Sequence, residues 1–203
     1  GYTYTFTDGS SYVANSNTAS ITVAPSSTTT YTLSSISDKY CTTNLSGSVQ
    51  VTVNPYPVVS FNPINRICLG SPAITLSATP TGGFFTGTNT NGSIFNPIIK
   101  GTHLVNYNYS ALGCTTTVSK NIIVDTLPKV NLNASTNNIC LGSNVTLTAS
   151  GANTYTWSEG LPNSVTNTVT PKISTNYTVT GVDVNGCSNT STAKITVFDL
   201  PII

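Results

Sequence analysis

Five cysteines are the reactive side chains of this 203-residue chain, and disulfide formation is the chemistry that they favour. Cys41, Cys114 and Cys187 follow one another at intervals of 73 residues. Cys68 and Cys140 each stand in the string Ile-Cys-Leu-Gly-Ser and are 72 residues apart. An early and a late cysteine therefore recur with one period, which indicates tandem domains held by recurring bonds.

Other chemistry has little support in the sequence. His103 is the only histidine and is expected at the entry to a strand, so neither a histidine-rich metal site nor a serine–histidine relay is indicated. The six acidic residues are dispersed, whereas a glycosidase needs two facing carboxylates and calcium needs several oxygen ligands. Asp183-Val-Asn185-Gly is interpreted as a turn. We predict no catalytic residues, no metal site, no cofactor and no enzymatic activity.

Phe84 and Phe85 are the candidates for contact with a glycan. The Gly82-Gly83 pair precedes them, and it predicts a loop that exposes both rings. Tyr155 and Trp157 are predicted to pack in a core instead, because they alternate with polar residues on one strand.

Alternation of apolar and polar residues runs through most of the chain. This period of two predicts strands with one buried and one solvated face, and threonine on the solvated face favours strand over helix. Turn signals such as Asn185-Gly186 separate the strands. The clearest alternating segments are 49–53, 74–78, 105–109, 130–134, 145–149, 177–179 and 195–197. We predict an all-β fold made of antiparallel sandwiches.

The end of the chain can be laid out strand by strand. Strands A, B, C, F and G are predicted at 129–135, 144–150, 154–158, 175–182 and 188–198, with poorly marked strands through 161–173. Trp157 and Tyr177 fall at the core-tryptophan and corner-tyrosine positions of an immunoglobulin-like (Ig-like) sandwich. Ala149 and Val179 occupy the positions of its inter-sheet cysteines. We therefore predict an Ig-like sandwich whose cysteines make a different bond.

Two pairing schemes fit the cysteine spacing. Bonds Cys68–Cys114 and Cys140–Cys187 would each close one repeat, with Cys41 bonded to a cysteine outside the given sequence. A bond Cys68–Cys187 would join two repeats. In a plain Ig layout, the two cysteines of one repeat lie at opposite ends of a strand, roughly 25 Å apart, whereas a disulfide needs Cα atoms within about 7 Å. We favour the first scheme, because it lets each repeat fold alone, and the second stays open.

The period also sets domain boundaries. Residues 1–56 align with the second half of the last repeat, so strands A and B of the first domain are missing and its core would be open. We expect the native chain to continue upstream, or another segment to fill the gap. Prolines mark the junctions and stiffen an end-to-end array. The chain is predicted to hold the C-terminal part of one repeat, two complete repeats and the start of another, at 1–56, 57–127, 128–200 and 201–203.

Composition bears on two classes of partner. Charged residues make up 6% of the chain and its net charge is +1, so we predict no nucleic-acid surface. No apolar run approaches the about 18 residues needed to span a bilayer, so no membrane insertion is predicted. Threonine, serine and asparagine supply the polar groups, and such a surface depends little on salt or pH. This composition suits an extracellular position.

The motifs of residues 139–201 resemble a known class of repeat. They read Ile139-Cys-x-Gly, Val-Thr-Leu-Thr-Ala, Tyr-x-Trp157, Tyr177-Thr-Val-Thr and Asn-Gly-Cys187. This pattern is similar to the Ig-like and PKD-like repeats of large Bacteroidota cell-surface adhesins, and residues 80–87 and 94–97 resemble a sister variant. The resemblance implies type IX secretion and a role in gliding motility or surface adhesion. Asp125-Thr126-Leu127 resembles the O-glycosylation motif of these bacteria, which predicts a glycan on Thr126.

Repeats and resemblance together predict a structural, adhesive stalk or filament segment at the extracellular cell surface. Such a segment transmits tension and spaces a distal binding tip. Its predicted partners are neighbouring repeats of the same chain, other copies in a filament, and surface glycans. The alternative is a carbohydrate-binding module region of a secreted multidomain hydrolase, which would require an exposed aromatic cluster in one repeat.

Overall fold

A computed structural model describes residues 1–16, 18–62, 64 and 66–201. Positions 202 and 203, in the predicted start of a further repeat, lie outside the described residues. The described part of the chain forms twenty-one β-strands and no helix, so the predicted all-β fold is confirmed. None of its segments is a helix long and apolar enough to cross a membrane.

The chain divides into two compact units. Unit 1 comprises Gly1–Val58 and Tyr109–Thr116, and unit 2 comprises Val59–Asn108 and Thr117–Ile203. Unit 2 thus holds most of the middle repeat (57–127) and all of the last repeat (128–200). The four-segment division of the chain remains our proposal.

Unit 1 is built on one antiparallel sheet. Its strands are β1 (Tyr2–Phe6), β2 (Ser11–Ala14), β3 (Thr29–Ser37), β4 (Thr42–Asn44) and β5 (Ser48–Val51). The order is β2-β1-β3-β4, and β5 pairs with the first half of β3. Within Gly1–Val58 the described residues form no second sheet, so this segment places no layer of strands against one apolar face of its sheet.

The middle repeat has a buried core between short strands and a long hairpin. Its sheets have the orders β10-β13-β14-β7, β11-β12-β8 and β6-β9. Phe95 and Val105 are fully buried, and Ile122 is 1% exposed. The strands are β6 (Ser60–Phe61), β7 (Ile67–Cys68), β8 (Ile74–Thr75), β9 (Ala78–Thr79), β10 (Phe84–Gly87), β11 (Thr90–Asn91), β12 (Ile94–Phe95), β13 (Gly101–Ala111) and β14 (Cys114–Asp125).

The last repeat is a two-sheet sandwich. Its sheets have the orders β15-β17-β19 and β16-β21-β20-β18, which correspond to A-B-E and A′-G-F-C of an Ig-like fold. Predicted strands A, B, C, F and G are confirmed within two residues. The short A′ strand β16, which runs parallel to β21, was missed. The strands are β15 (Asn131–Ala134), β16 (Asn138–Cys140), β17 (Val145–Ser150), β18 (Thr154–Trp157), β19 (Thr166–Val169), β20 (Thr175–Val182) and β21 (Ser188–Phe198).

Alternate side chains of both sheets form the core of the last repeat. Ala149 and Val179 are 2% and 0% exposed, which fits their placement at inter-sheet positions. Trp157 is buried, and its indole N–H donates a hydrogen bond to the Ser164 carbonyl at 2.8 Å. The core cluster consists of Val130, Ile139, Val145, Leu147, Ala149, Tyr155, Trp157, Val169, Tyr177, Val179 and Ile195.

Two glycines let the chain segment before β15 approach the sandwich closely. Gly151 has φ of 91°, and a Cβ there would stand 1.9 Å from the Lys129 carbonyl oxygen. A Cβ on Gly181 would stand 2.7 Å from the Val130 Cγ2 atom. The start of the last repeat is therefore fixed against the B–C turn and β20 at positions where any side chain would clash.

We expect Leu147→Ala to destabilise the last repeat by about 2–5 kcal/mol, because the substitution leaves a cavity between the two sheets. Leu147 is 0% exposed. Urea unfolding followed by Trp157 fluorescence would measure the loss. Leu200→Ala, at a side chain that is 60% exposed, is the matched control and should change stability by less than about 0.5 kcal/mol. Equal losses for both variants would contradict this core assignment.

Candidate functional site

The candidate site is the covalent link between the middle and last repeats. Cys68 and Cys187 are disulfide-bonded, with their Cα atoms 5.5 Å apart and 119 positions between them in the sequence. Cys187 is 1% exposed, so the bond is shielded on that side. Cys41, Cys114 and Cys140 are free thiols in the structure.

This pairing corrects the intradomain scheme, in which Cys68 pairs with Cys114 and Cys140 with Cys187. Cys140 is aligned with Phe198, the last residue of β21, whereas Cys187 directly precedes its first residue. Eleven strand residues span about 35 Å at the usual rise, far beyond the reach of a disulfide. The pairing of Cys41 with a cysteine outside the sequence stays a prediction.

The order of elements is the same in the middle repeat. Cys68 pairs in register with Asp125, the last residue of β14, whereas Cys114 is the first residue of that strand. The early cysteine of a repeat therefore stands beside the end of its own last strand. The late cysteine stands at the start of the last strand, after the F–G turn.

Asp183 shapes the F–G turn that presents Cys187. Its Oδ1 atom accepts hydrogen bonds from the backbone N–H groups of Asn185 and Cys187, both at 2.9 Å. The Asp183 N–H donates to the Cys187 carbonyl at 2.9 Å. Gly186 completes the turn with φ of 85°. The segment is therefore a turn, as its sequence indicates.

Arg66 and Asp125 form a second link within the middle repeat. The Arg66 Nε donates to Oδ2 of Asp125 at 2.6 Å, and a second guanidinium nitrogen pairs with Oδ1. The Asp125 side chain is 10% exposed and that of Arg66 51%. The Leu69 N–H also donates to the Asp125 carbonyl at 2.8 Å. Two side-chain contacts and one backbone bond thus hold the segment that carries Cys68.

Sequence reasoning missed this ion pair. One signal was available, because Arg66 is the only arginine in the chain and stands two residues before Cys68. Its partner could not be inferred, since Asp125 is 59 residues away and the two meet only through the parallel pairing of β7 with β14.

The ion pair shifts the protonation of both partners. The hydrogen bond from Arg66 lowers the pKa of Asp125, and burial opposes that shift. The hydrogen bond with Asp125 raises the pKa of Arg66, and the charge of Asp183 adds to this effect.

The polypeptide link between these repeats is itself well packed. Asp125 and Pro128 are buried, while Thr126 and Leu127 between them are exposed. The Asn189 side chain donates a hydrogen bond to the Pro128 carbonyl at 3.0 Å. Thr126 is therefore accessible, and its O-glycosylation stays a prediction.

The structure does not bring Phe84 and Phe85 together on one face. Both lie on strand β10 rather than in a loop, which corrects the expectation from Gly82-Gly83. Phe84 is 61% exposed. Phe85 points the other way, and its ring centroid lies 4.7 Å from that of Tyr107 and 5.3 Å from that of Phe61. Phe85 is therefore half-buried, and glycan contact at Phe84 and Phe85 stays a prediction.

His103 is also a core residue. It is 7% exposed. Its Nε2 atom lies 2.7 Å from the Ile99 carbonyl and its Nδ1 atom 3.1 Å from the Thr88 hydroxyl. Both ring nitrogens therefore have polar neighbours within the middle repeat.

No family model matches the sequence, and no curated protein matches it. Among solved structures, the mouse nectin-like molecule 4 ectodomain (Ig1–Ig3) matches at 18% identity and a TM-score of 0.32, over 72% of this chain and 65% of that one. The N-terminal eight Ig domains of Down Syndrome Cell Adhesion Molecule match at 12% and 0.41, over 97% and 30%.

A Ca²⁺-stabilised adhesin with which an Antarctic bacterium binds ice matches at 17% identity and a TM-score of 0.36, over 98% of this chain and 65% of that one. The present chain thus spans less than two thirds of each of these three structures. At these identities and TM-scores, none of the three extends a family or an activity to this chain. The Ig-like assignment rests on the sheet order of the last repeat.

We expect non-reducing peptide mapping to yield a peptide pair linked through Cys68 and Cys187, with Cys114 and Cys140 available to an alkylating reagent. Cys68→Ser should release Cys187 for alkylation and lower the unfolding free energy by about 2–5 kcal/mol, because the bond closes a long loop. Cys140→Ser is the matched control and should leave stability unchanged. A linked Cys140–Cys187 peptide would overturn the assignment.

The Arg66–Asp125 pair predicts an acid-sensitive contribution to stability. Because the folded-state pKa of Asp125 is lowered, its contribution is complete above the ordinary carboxyl pKa of about 4 and is lost as pH falls through the lowered value. Asp125→Asn should therefore lower Tm at pH 6 and lower it less at pH 2. Asp199→Asn, at an exposed aspartate, is the control and should track the wild type. A Tm difference that is the same at both pH values would contradict the assignment.

Proposed function

We propose that this chain is a structural, adhesive stalk or filament segment of a large bacterial cell-surface protein, with a mechanical role. The observation that carries the proposal is the bond between Cys68 and Cys187, which joins two successive repeats instead of closing either one. A bond that only stabilised a domain would be expected within it. A bond between domains limits how far they can separate under load.

The positions of the two cysteines favour a role in carrying tension. Cys68 is aligned with Asp125, where the last strand of the middle repeat ends, and Cys187 directly precedes β21 of the last repeat. Between Cys68 and Cys187 the backbone passes through the rest of the middle repeat, residues 126–128 and the last repeat up to its F–G turn. The disulfide provides a shorter covalent path across the junction, so load need not unfold the segment between the cysteines.

The character of the surface supports an exposed extracellular position. Only 6% of residues are charged, and Thr, Ser and Asn supply most polar groups. The disulfide supports the same compartment, because such bonds persist in oxidising surroundings. We propose neighbouring repeats as the first partners, with other copies of the chain in a filament and surface glycans as further ones.

The resemblance of residues 139–201 to Bacteroidota adhesin repeats supports the finer part of the proposal. On this basis the protein is exported by the type IX system, contributes to gliding motility or surface adhesion, and carries a glycan on Thr126. No observation favours the carbohydrate-binding module of a hydrolase, because Phe84 and Phe85 point to opposite sides of β10 and Phe85 packs against Phe61 and Tyr107.

Force spectroscopy tests the mechanical role. When the chain is pulled from its two ends, the segment between the bonded cysteines, which are 119 positions apart, should not extend. At about 3.4 Å per extended residue, this segment corresponds to roughly 40 nm of hidden length. We expect the fully stretched chain to be shorter by that amount without reductant than with it.

Two variants control this measurement. Cys68→Ser should show the full length in both conditions, and Cys140→Ser should behave as the wild type. If the wild type already reaches full length at low force without reductant, the bond does not carry load and the proposal fails.

A further inference from the structure

The middle repeat has an outward sheet surface whose chemistry differs from that of the same surface in the last repeat. It belongs to β10, β13 and β14, which lie side by side in one sheet. Side chains alternate between the two sides of a strand. Val105 and Tyr107 are 0% and 2% exposed, so their neighbours on β13 point outward. We call this surface the outer face, and its residues are Phe84, Thr86, Asn106, Asn108, Thr117 and Ser119.

Hydrogen bonds hold the two asparagine amides of the outer face in place. The Thr117 hydroxyl donates to Oδ1 of Asn108, and the Ser119 hydroxyl donates to Oδ1 of Asn106, both at 2.7 Å. The Nδ2 atom of Asn106 donates to none of the residues that the structure describes. Amides that are oriented before a ligand arrives lower the cost of binding it.

Phe84 adds an aromatic ring to the same face. It is 61% exposed and pairs in register with Asn108 on the neighbouring strand. Neighbouring strands are about 5 Å apart, and alternate residues of one strand are about 7 Å apart. The ring and both amides therefore lie within reach of a ligand the size of a disaccharide. No residue of the outer face is charged.

The last repeat shows that the fold does not require these side chains. Strand β18 occupies the position of β10 in its sheet, and its inward residue Trp157 pairs with Val179 as Phe85 pairs with Tyr107. By this correspondence the last repeat has threonine wherever the outer face has the ring or an amide. The replacements are Thr156 for Phe84, Thr180 for Asn108 and Thr178 for Asn106. The aromatic ring and the amides are therefore specific to the middle repeat.

We propose that the outer face binds a neutral glycan chain of β-linked glucose-type sugars. Such a sugar presents axial C–H groups on the flat sides of its ring, and these suit the negatively polarised face of the Phe84 ring. Its hydroxyls lie at the rim, where the amides of Asn106 and Asn108 can donate to them and accept from them. The choice of a glycan as ligand rests on the proposed adhesive function, whereas the site itself is independent of the mechanical role.

The first test titrates the whole chain with cellopentaose and, separately, with chitopentaose in a calorimeter. We expect saturable binding of at least one of them. Phe84→Ala should weaken it at least tenfold, because the stacking ring is lost. Thr156→Ala, at the counterpart position of the last repeat, is the matched control and should change it less than twofold. Both side chains are exposed, so neither change should unfold the chain. No binding of either sugar, or equal effects of the two substitutions, would overturn the proposal.

Asn106→Asp tests the amide donor. The carboxylate still accepts from the Ser119 hydroxyl, but the Nδ2 donor is gone, so we expect binding at least tenfold weaker. Asn176→Asp makes the same chemical change at an exposed position on the equivalent face of the last repeat, and it should alter binding less than twofold. If Asn106→Asp binds the sugar as the wild type does, the amide does not contact the ligand and the assignment is wrong.

The shape and charge of the ligand give a further check. Maltopentaose has an α-linked, curved chain that does not lie flat across the strands, so it should bind at least tenfold more weakly than the β-linked sugar. Affinity for the β-linked sugar should be the same at low and high salt, because no charges attract it. A preference for maltopentaose, or binding that salt abolishes, contradicts the proposed ligand.

A second copy of the chain is the rival occupant, because β10 lies at the edge of its sheet and edge strands can pair with other chains. Sedimentation without glycan tests this rival. A concentration-dependent dimer that Phe84→Ala abolishes would overturn the glycan site in favour of self-association. Absence of glycan binding would leave the stalk function standing, since the hidden length measured by force spectroscopy does not depend on Phe84.

Discussion

The length of the terminal strands is the constraint on which the junction depends. In the last repeat the 11-residue strand β21 separates the early cysteine from the late one by more than any disulfide can bridge. A bond is available only where the early cysteine of one repeat meets the late cysteine of the next. Two features bring these cysteines together. The pairing of β7 with β14 aligns Cys68 with Asp125, and the hydrogen bonds to Asp183 order the turn before Cys187.

The two sandwich layers depend on each other because neither buries its apolar face alone. The last repeat has both layers, and Val179 and Ile195 lose all exposure between them. The sheet of unit 1 has strands that correspond to C, F and G, and Val49 stays 62% exposed. The same alternating pattern is therefore fully enclosed in the last repeat and partly exposed in the described residues of unit 1.

Much of the fold was predictable, because alternation and turn signals act locally. They placed β17, β20 and β21 within two residues, and they placed Ala149 and Val179 in the core. The A′ strand β16 was missed because a strand of three residues is too short to show the period-two alternation. The intradomain disulfide scheme is wrong because the last strand of a repeat holds its two cysteines too far apart, and this distance outweighs the advantage of a repeat that folds alone. Phe85 was predicted in a loop because Gly82-Gly83 indicates a turn, but such a turn can end directly before a strand, as it does here before β10. The Arg66–Asp125 pair depends on a parallel register that no local signal encodes.

A covalent bond between neighbouring domains changes the effect of a break in the backbone. The exposed residues Thr126 and Leu127 lie between the bonded cysteines, so a protease that cuts there leaves two polypeptides in one molecule. The two polypeptides then separate only after the disulfide is reduced, and one of its cysteines, Cys187, is 1% exposed. If the same pairing of early and late cysteines occurs in other repeats, each junction is held by a disulfide as well as by the backbone. Cleavage of any single junction loop would then leave the array covalently connected.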